Sequence, residues 1–360
     1  MLDQISGEVS VVIPCHSQLR WPHLVAAVES VLSQRPHPAE LVIAVDRNDE
    51  LFRNASERWP HLTVLANRFQ AGVSGNRNTG ILHTRTPLIA LLDDDACARP
   101  GWLAAMIAPL ADPSVVGTGG AIIPFWEQGR PMWFPDELLW AVVGTSNQDD
   151  ECTTVRNVWS ASMAVRRDVF DAAGGFRLGF GKNGNRPRPE DTDLCLRMSQ
   201  VSTGRWVYVP HAVVDHVVPK ERATLRSLVA RCYHEGRGKV ELARVIGQPS
   251  VFGIERDYLR RVVPGSFVRG IAATMRGRGP VHSVRASVLM IGAFAAVSGA
   301  GVEVLHGSRT YPTISSFDRQ DGTTSRPVPR PTAALDDVVT VTAVGGPSVG
   351  TKRHPAGRHG

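Results

Sequence analysis

The chain has no CxxC pair and no His/Cys spacing that would frame a zinc site, although five cysteines are scattered through its 360 residues (Cys15, Cys97, Cys152, Cys195 and Cys232). An odd number of isolated thiols argues against a disulfide framework and for a reducing, cytosolic compartment. A leader peptide is equally unsupported. MLDQISGEVSVVIPC carries acidic residues where a basic region is needed, and its apolar run is short. Acidic residues are missing altogether from Tyr258 to Val302, while Arg260, Arg261, Arg269, Arg276, Arg278 and Arg285 follow one another there. No apolar run is long enough to be an unambiguous membrane span. The best candidate, Ala286 to Val302, sits at the lower limit and is diluted by Gly, Ser and Ala.

A hydrophobic content of 42% is enough for one large core with length to spare. The net charge of +6 suits an anionic partner. Nucleic acid is disfavoured, because the arginine excess lies beside an apolar run rather than among exposed aromatics and no nucleic-acid motif appears. An interfacial or shallowly inserted helical hairpin with its arginines on the cytosolic side is the preferred reading of 258–302, against a pair of ordinary docking helices. From about 308 onward, Pro, Thr, Gly, Arg and Asp without apolar periodicity predict a disordered tail. The partition is therefore a domain over 1–245, a basic and apolar helical segment over 246–307, and a tail over 308–360.

Within the first domain, short apolar runs alternate with helical patterns, which predicts an α/β fold with a largely parallel sheet. Strands are expected at 9–13, 40–45, 62–66, 87–92, 115–121, 157–164, 205–209 and 212–217. Helices are expected at 22–34, 50–58, 73–84, 100–110, 167–173, from Glu190, and at 222–235. The strand at 87–92 runs straight into Asp93-Asp94-Asp95, at the sheet edge where open α/β sheets bind ligands. Read as D-x-D along an extended segment, these aspartates present two carboxylates on one side. Such hard oxygen ligands suit Mg²⁺ or Mn²⁺ shared with a diphosphate, although a solvated acidic turn is the plainer alternative. A second acidic group, Pro189-Glu190-Asp191-Thr192-Asp193, opens a helix. It is either ordinary helix-end chemistry or a general base, Asp191, for an acceptor hydroxyl.

With both clusters in place, the chain resembles the family-2 inverting glycosyltransferases of the GT-A fold. The matching pieces are VSVVIPCHSQ (9–18), SVLSQ (30–34), LVIAVD (41–46), GVSGNRNTGI (72–81), LIALLDDDA (88–96), SASMAVRRDVFDAAGGF (160–176), PEDTDLCLRM (189–198) and YHEGRGK (233–239), in the family's order. The resemblance implies a Rossmann-like, mostly parallel central sheet with flanking helices. It implies that Asp46 contacts the base of the nucleotide, with Pro14 and Cys15 lining the same pocket, Arg77 and Asn78 beside the nucleotide, and Asp94 in the same donor site. Asp93 would contact ribose or metal, Asp95 would hold the metal, and Asp191 would be the base with Glu190 orienting it. His216, after a strand, is a further metal candidate or a packed histidine. Arg231, Arg237 and Lys239 are candidate cover for the diphosphate or a solvated helix face.

The helix reading LVARCYHEG lacks the Q-x-x-R-W of processive members, so transfer of one sugar is implied. The aromatic segment RPMWFPDELLWAVVG (130–144) resembles that of members acting as glucosyl-dolichyl phosphate glucuronosyltransferases. A UDP-sugar donor and a saccharide or polyprenyl-linked acceptor at the cytosolic face of a membrane are the expectations. A sugar-phosphate nucleotidyltransferase would need a glycine-rich phosphate loop after the first strand, and PCHSQLRWP has no glycine. A non-catalytic nucleotide-sugar or membrane-binding protein is the remaining alternative, disfavoured because both acidic clusters are intact.

Overall fold

The computed structural model describes residues 8–145, 151–183, 186–247 and 252–305. The tail expected over 308–360 lies outside the described residues.

Strands β1 (Val9–Cys15), β2 (Glu40–Val45), β3 (Thr63–Ala66) and β4 (Leu88–Leu92) form the parallel half of a nine-stranded sheet, in the spatial order β3-β2-β1-β4. β1 and β4 are buried at every position. That is why they read as continuous Val, Ile and Leu runs rather than alternating ones: helices cover both faces. α1 (Trp21–Leu32), α2 (Asp49–Arg58) and α3 (Val73–His83) make the crossovers. Asn48 caps α2 by accepting from the Leu51 amide, and Asp49 and Glu50 complement the helix dipole behind it.

After β4 the sheet becomes mixed. β5 (Ala96–Ala98), α4 (Trp102–Ile107) and β6 (Val115–Trp126) are followed by β7 (Thr153–Val155), which pairs with β11, and by β8 (Ser162–Arg166). β8 inserts antiparallel between β4 and β6. It starts five residues later than the strand expected at 157–164, because 156–161 is irregular backbone facing the cleft. α5 (Arg167–Ala172), a hairpin of β9 (Gly181–Asn183) and β10 (Arg186–Arg188), and α6 (Glu190–Val201) come next. The two strands expected at 205–209 and 212–217 are one strand, β11 (Arg205–Val218), whose register against β6 jumps between Val209 and Val213. Pro210, which has no amide to donate, sits in that bulge.

The helix expected over 222–235 runs on as α7 (Leu225–Ile246), opened by Thr224 accepting from the Ser227 amide and closed by Gly247 at φ 72°. α8 (Gly253–Asp257) continues through a π-helical turn (Tyr258–Val262) into α9 (Val263–Met275), and α10 (Val281–Leu305) ends the described chain. The 258–302 segment is thus largely helical, and its last helix docks on α7. A Cβ on Gly236 of α7 would stand 1.9 Å from the Ala296 carbonyl oxygen of α10, and one on Gly299 would stand 2.0 Å from that of Tyr233. These two glycines let the helix backbones touch. Gly236→Ala forces them apart, and we expect a loss of about 1–3 kcal/mol in urea unfolding. Unchanged stability would mean that α10 does not pack there.

The opposite face of α10 is apolar and open, with Phe294 75% exposed and Met290, Ile291 and Val304 beside it. Among the described residues it is the one helix long and apolar enough to cross a membrane, with a mean hydropathy of 2.0, and one third of that stretch is buried in the protein.

Candidate active site

The carboxyl ends of β1, β2 and β4 open into a cleft of about 1300 Å³ that also reaches α6 and α7. Pro14, Cys15 and Asp46 line it, as expected from the sequence. Burial pushes the Cys15 thiol well above its ordinary value, so this cysteine contributes surface rather than a thiolate. Both oxygens of Asp46 are engaged: Asn67 Nδ2 donates to one and the Gly72 amide to the other, each at 2.7 Å. Asp46 thereby ties the end of β2 to the start of α3 at the wall of the cleft.

Asp93, Asp94 and Asp95 lie in the turn after β4, not in the strand. Strand alternation is therefore not what brings Asp93 and Asp95 together. The turn does so, with β5: Ala96 pairs with His216 in the antiparallel β5–β11 register, and the Val217 amide donates to the Asp95 carbonyl at 2.9 Å. That pairing sets His216 Nε2 3.2 Å from Asp95 Oδ1. Potential ligand atoms of Asp93, Asp95 and His216 all fall within 4.8 Å of one another. Two carboxylates and an imidazole fit a divalent cation. Asp94 Oδ2 and His216 Nδ1 are buried with no hydrogen-bond partner among the described residues, which marks this corner as short of a polar neighbour.

Asp94 and Asp95 are set apart electrostatically. Burial, and then the adjacent Asp95 charge, lift Asp94 to about 7. Burial would raise Asp95 too, but His216 and Arg20 outweigh it and hold that carboxyl well below its usual range. Arg20 donates to Asp94 Oδ1 at 2.8 Å and lies 2.9 Å from Asp95 Oδ2. Nothing in the sequence marked Arg20, whose partners are more than seventy positions away.

The second acidic group faces the same cleft from the first turn of α6. Burial, followed by the charge of Glu190, lifts Asp191 to about 7, a value matched to proton transfer near neutral pH. The Thr192 amide donates to Asp191 Oδ1 at 2.7 Å and fixes the carboxyl. Arg77 joins the two groups: one terminal nitrogen donates to Asp93 Oδ1 at 2.7 Å and the other to Glu190 Oε1 at 2.9 Å. Only 2% of this side chain is exposed.

Asn78 does not reach the cleft. It is fully buried, donating to the Phe176 carbonyl and accepting from the Phe176 amide, so it pins the loop after α5. The turn of the helix explains the difference: successive residues of α3 point about 100° apart. Asn76 takes the cleft position instead, donating to the carbonyls of Cys15 and Ala44. Of the three candidate cations on α7, Arg231 and Lys239 line the cleft, whereas Arg237 turns away to Glu303 at 2.9 Å. Arg156 and Arg222, unmarked in the sequence, also line it.

Residues 10–174 match the family model "Glycosyl transferase family 2". A glucosyl-dolichyl phosphate glucuronosyltransferase of Haloferax volcanii is 30% identical over 239 residues, covering 64% of this chain and 76% of that protein. A pre-mycofactocin glycosyltransferase of Mycobacterium tuberculosis is 29% identical over 185 residues, half of this chain but only 37% of the relative. A mannosyltransferase from Pyrobaculum calidifontis, solved with GDP-Man and Mn²⁺, superposes with a TM-score of 0.53 at 17% identity over 81% of this chain and 87% of that one. This likeness shows the GT-A fold. The chain belongs to glycosyltransferase family 2. It is an enzyme that transfers sugars, and neither the nucleotidyltransferase nor the non-catalytic reading finds support.

Proposed function

We propose that the cleft binds a nucleoside diphosphate sugar, with uridine the favoured base, and passes one sugar with inversion to a hydroxyl of a saccharide or polyprenyl-linked acceptor. Asp93, Asp95 and His216 would hold Mg²⁺ or Mn²⁺. When bound, the ion offsets the negative charge that develops on the departing diphosphate. The protein's own residues do the rest. Asp191 takes the proton of the acceptor hydroxyl, and Glu190, anchored by Arg77, holds the acceptor side of the site. Pro14, Cys15 and Asp46 form the floor under the base, while Arg231 and Lys239 neutralise phosphate oxygens from α7. Arg77 carries this reading, because it binds one carboxylate from each of two clusters nearly a hundred residues apart and makes them a single site.

Residues 1–245 would form the catalytic unit and 246–307 an accessory segment. The open apolar face of α10, with Arg260, Arg261, Arg269, Arg276, Arg278 and Arg285 on the same segment, supports seating on the anionic cytosolic face of a membrane. The names of the Haloferax relative and the Pyrobaculum complex support a lipid-borne acceptor and a metal-bound nucleotide sugar respectively.

A panel of nucleotide sugars, titrated with and without Mn²⁺ and read by thermal shift, tests the donor site. One donor should raise the melting temperature only when metal is present, since a ligand confined to the folded state stabilises it. Asp95→Ala should erase the metal dependence. Equal affinity with and without metal in the parent chain would sink the metal role.

A further inference from the structure

The cleft does not stop at the carboxylates. Beyond them its wall turns apolar: Leu138 comes from the 3₁₀ turn at Asp136–Val142, Tyr258 from the π-helical turn, and Ala293, Ala296, Val297 and Ala300 from α10. The four α10 positions are spaced i, i+3, i+4 and i+7, so they form one stripe along one side of the helix. Three of them are alanines, and side chains that small leave an open arm where larger ones would fill it. Nucleotides, phosphates and sugars give such an arm nothing to bind, and apolar surface left facing a cleft marks a ligand with apolar parts.

Cations line the same cleft. Arg222, Arg226 and Arg231 all line the cleft on, or just before, the N-terminal half of α7. Arg231 is shared with Glu235 at 3.4 Å. Arg222 and Arg226 have no ion pair within contact distance among the described residues, and burial, with the charges of Arg231 and Arg20, lowers the pKa of Arg222 although the more distant Asp95 and Asp93 carboxylates oppose it. An unpaired, largely buried guanidinium facing a cleft is expensive unless an anion joins it.

The geometry points to an amphiphile-binding arm: the hydrocarbon chain of a phosphate-bearing lipid lies along Ala293, Ala296, Val297 and Ala300, and its phosphate is gripped by Arg222 and Arg226. This rests on the lipid-borne acceptor proposed above and adds where each part of it sits. The chain enters between the inner stripe of α10 and Tyr258, which leaves the outer face of the same helix free for a membrane.

The test uses the full chain and a series of butyl, octyl and dodecyl phosphates, with binding read by tryptophan fluorescence, because Trp140 and Trp159 line the cleft. Affinity should tighten at least about tenfold from butyl to octyl phosphate, a fraction of the gain expected for four fully buried methylenes. Ala296→Phe and Ala300→Phe, made separately in case one fails to fold, should each cut that gain to less than about threefold. Phe294→Ser, on the outer face, should leave it intact. Arg226→Gln should weaken octyl phosphate at least about fivefold, as for a lost charge-assisted contact, with little effect on octyl glucoside.

The arm is ruled out if chain length does not matter, if the gain survives in alanine-to-phenylalanine variants that melt like the parent, or if Phe294→Ser removes it. Equal losses for octyl phosphate and octyl glucoside in Arg226→Gln would remove the headgroup assignment. Chain-length-dependent binding without transfer to any lipid-borne acceptor would uphold the arm and refute the acceptor reading. Transfer to lipid-borne acceptors with no dependence on chain length would do the reverse.

Discussion

Asp191→Asn should lower kcat by about 10³, within the range for loss of a positioned general base, and leave metal-dependent nucleotide binding within about twofold of the parent. The substitution keeps shape and the contact with the Thr192 amide but cannot accept a proton. Because the lost interaction develops only in the transition state, kcat and kcat/KM should fall together. Single-turnover transfer with a saturating donor, beside a titration of the nucleotide with Mn²⁺, separates chemistry from binding. Transfer within about tenfold of the parent would mean another group takes the proton.

The same carboxyl predicts the pH dependence. Buried beside Glu190, it titrates near 7 instead of the ordinary 3.8. Only the ionised form accepts a proton, so kcat/KM should drop about tenfold per pH unit below 7 and level off above it. Stability runs the opposite way. The folded chain keeps this proton where the unfolded chain has released it, so the stabilising contribution is complete below about 4 and is lost as pH rises through 7. Asparagine has no proton to lose. Asp191→Asn should therefore become increasingly more stable than the parent as pH climbs from 5 to 8, while its residual activity loses the acid limb.

The two halves of the fold differ in how openly the sequence announces them. β1, β2 and β4 are legible because a parallel strand covered on both faces must be apolar throughout, and α2 between β2 and β3 starts on the Asn48 cap with Asp49 and Glu50 behind it. β5 and β7 are not, being three residues each and made only by pairing with β11. The carboxylates were legible as types at a strand end. Their arrangement was not, since it depends on a turn and on the Ala96–His216 pairing across 120 positions. Arg20 and Asn76 were invisible for the same reason: each acquires its role from partners that only tertiary folding supplies. Asn78 shows the converse error, in which a contiguous motif was read as one surface although a helix sends neighbouring residues in different directions. At the C-terminus, composition gave helices and arginines, but the glycines that let α10 meet α7 needed the structure to explain them.

Arg77→Met should cost about 3–5 kcal/mol of folding stability, the usual penalty for removing one partner of a buried ion pair. The guanidinium is sequestered between Asp93 and Glu190 and packs over the Phe176 ring at 5.4 Å, so methionine restores the volume and none of the charge. Two carboxylates are then left facing a cleft already crowded with acidic groups. Adding Glu190→Gln removes one of them, so the double variant should regain part of the loss, and a coupling energy above about 1 kcal/mol in urea unfolding would report the bridge directly. Arg77→Lys should not rescue it, because a single ammonium cannot fork between two carboxylates. A loss below about 1 kcal/mol for Arg77→Met would mean that the carboxylates are reached by water and do not depend on Arg77. The two clusters would then be neighbours in one cleft without being mechanically one site, and Glu190 would no longer be held in place on the acceptor side of Asp191.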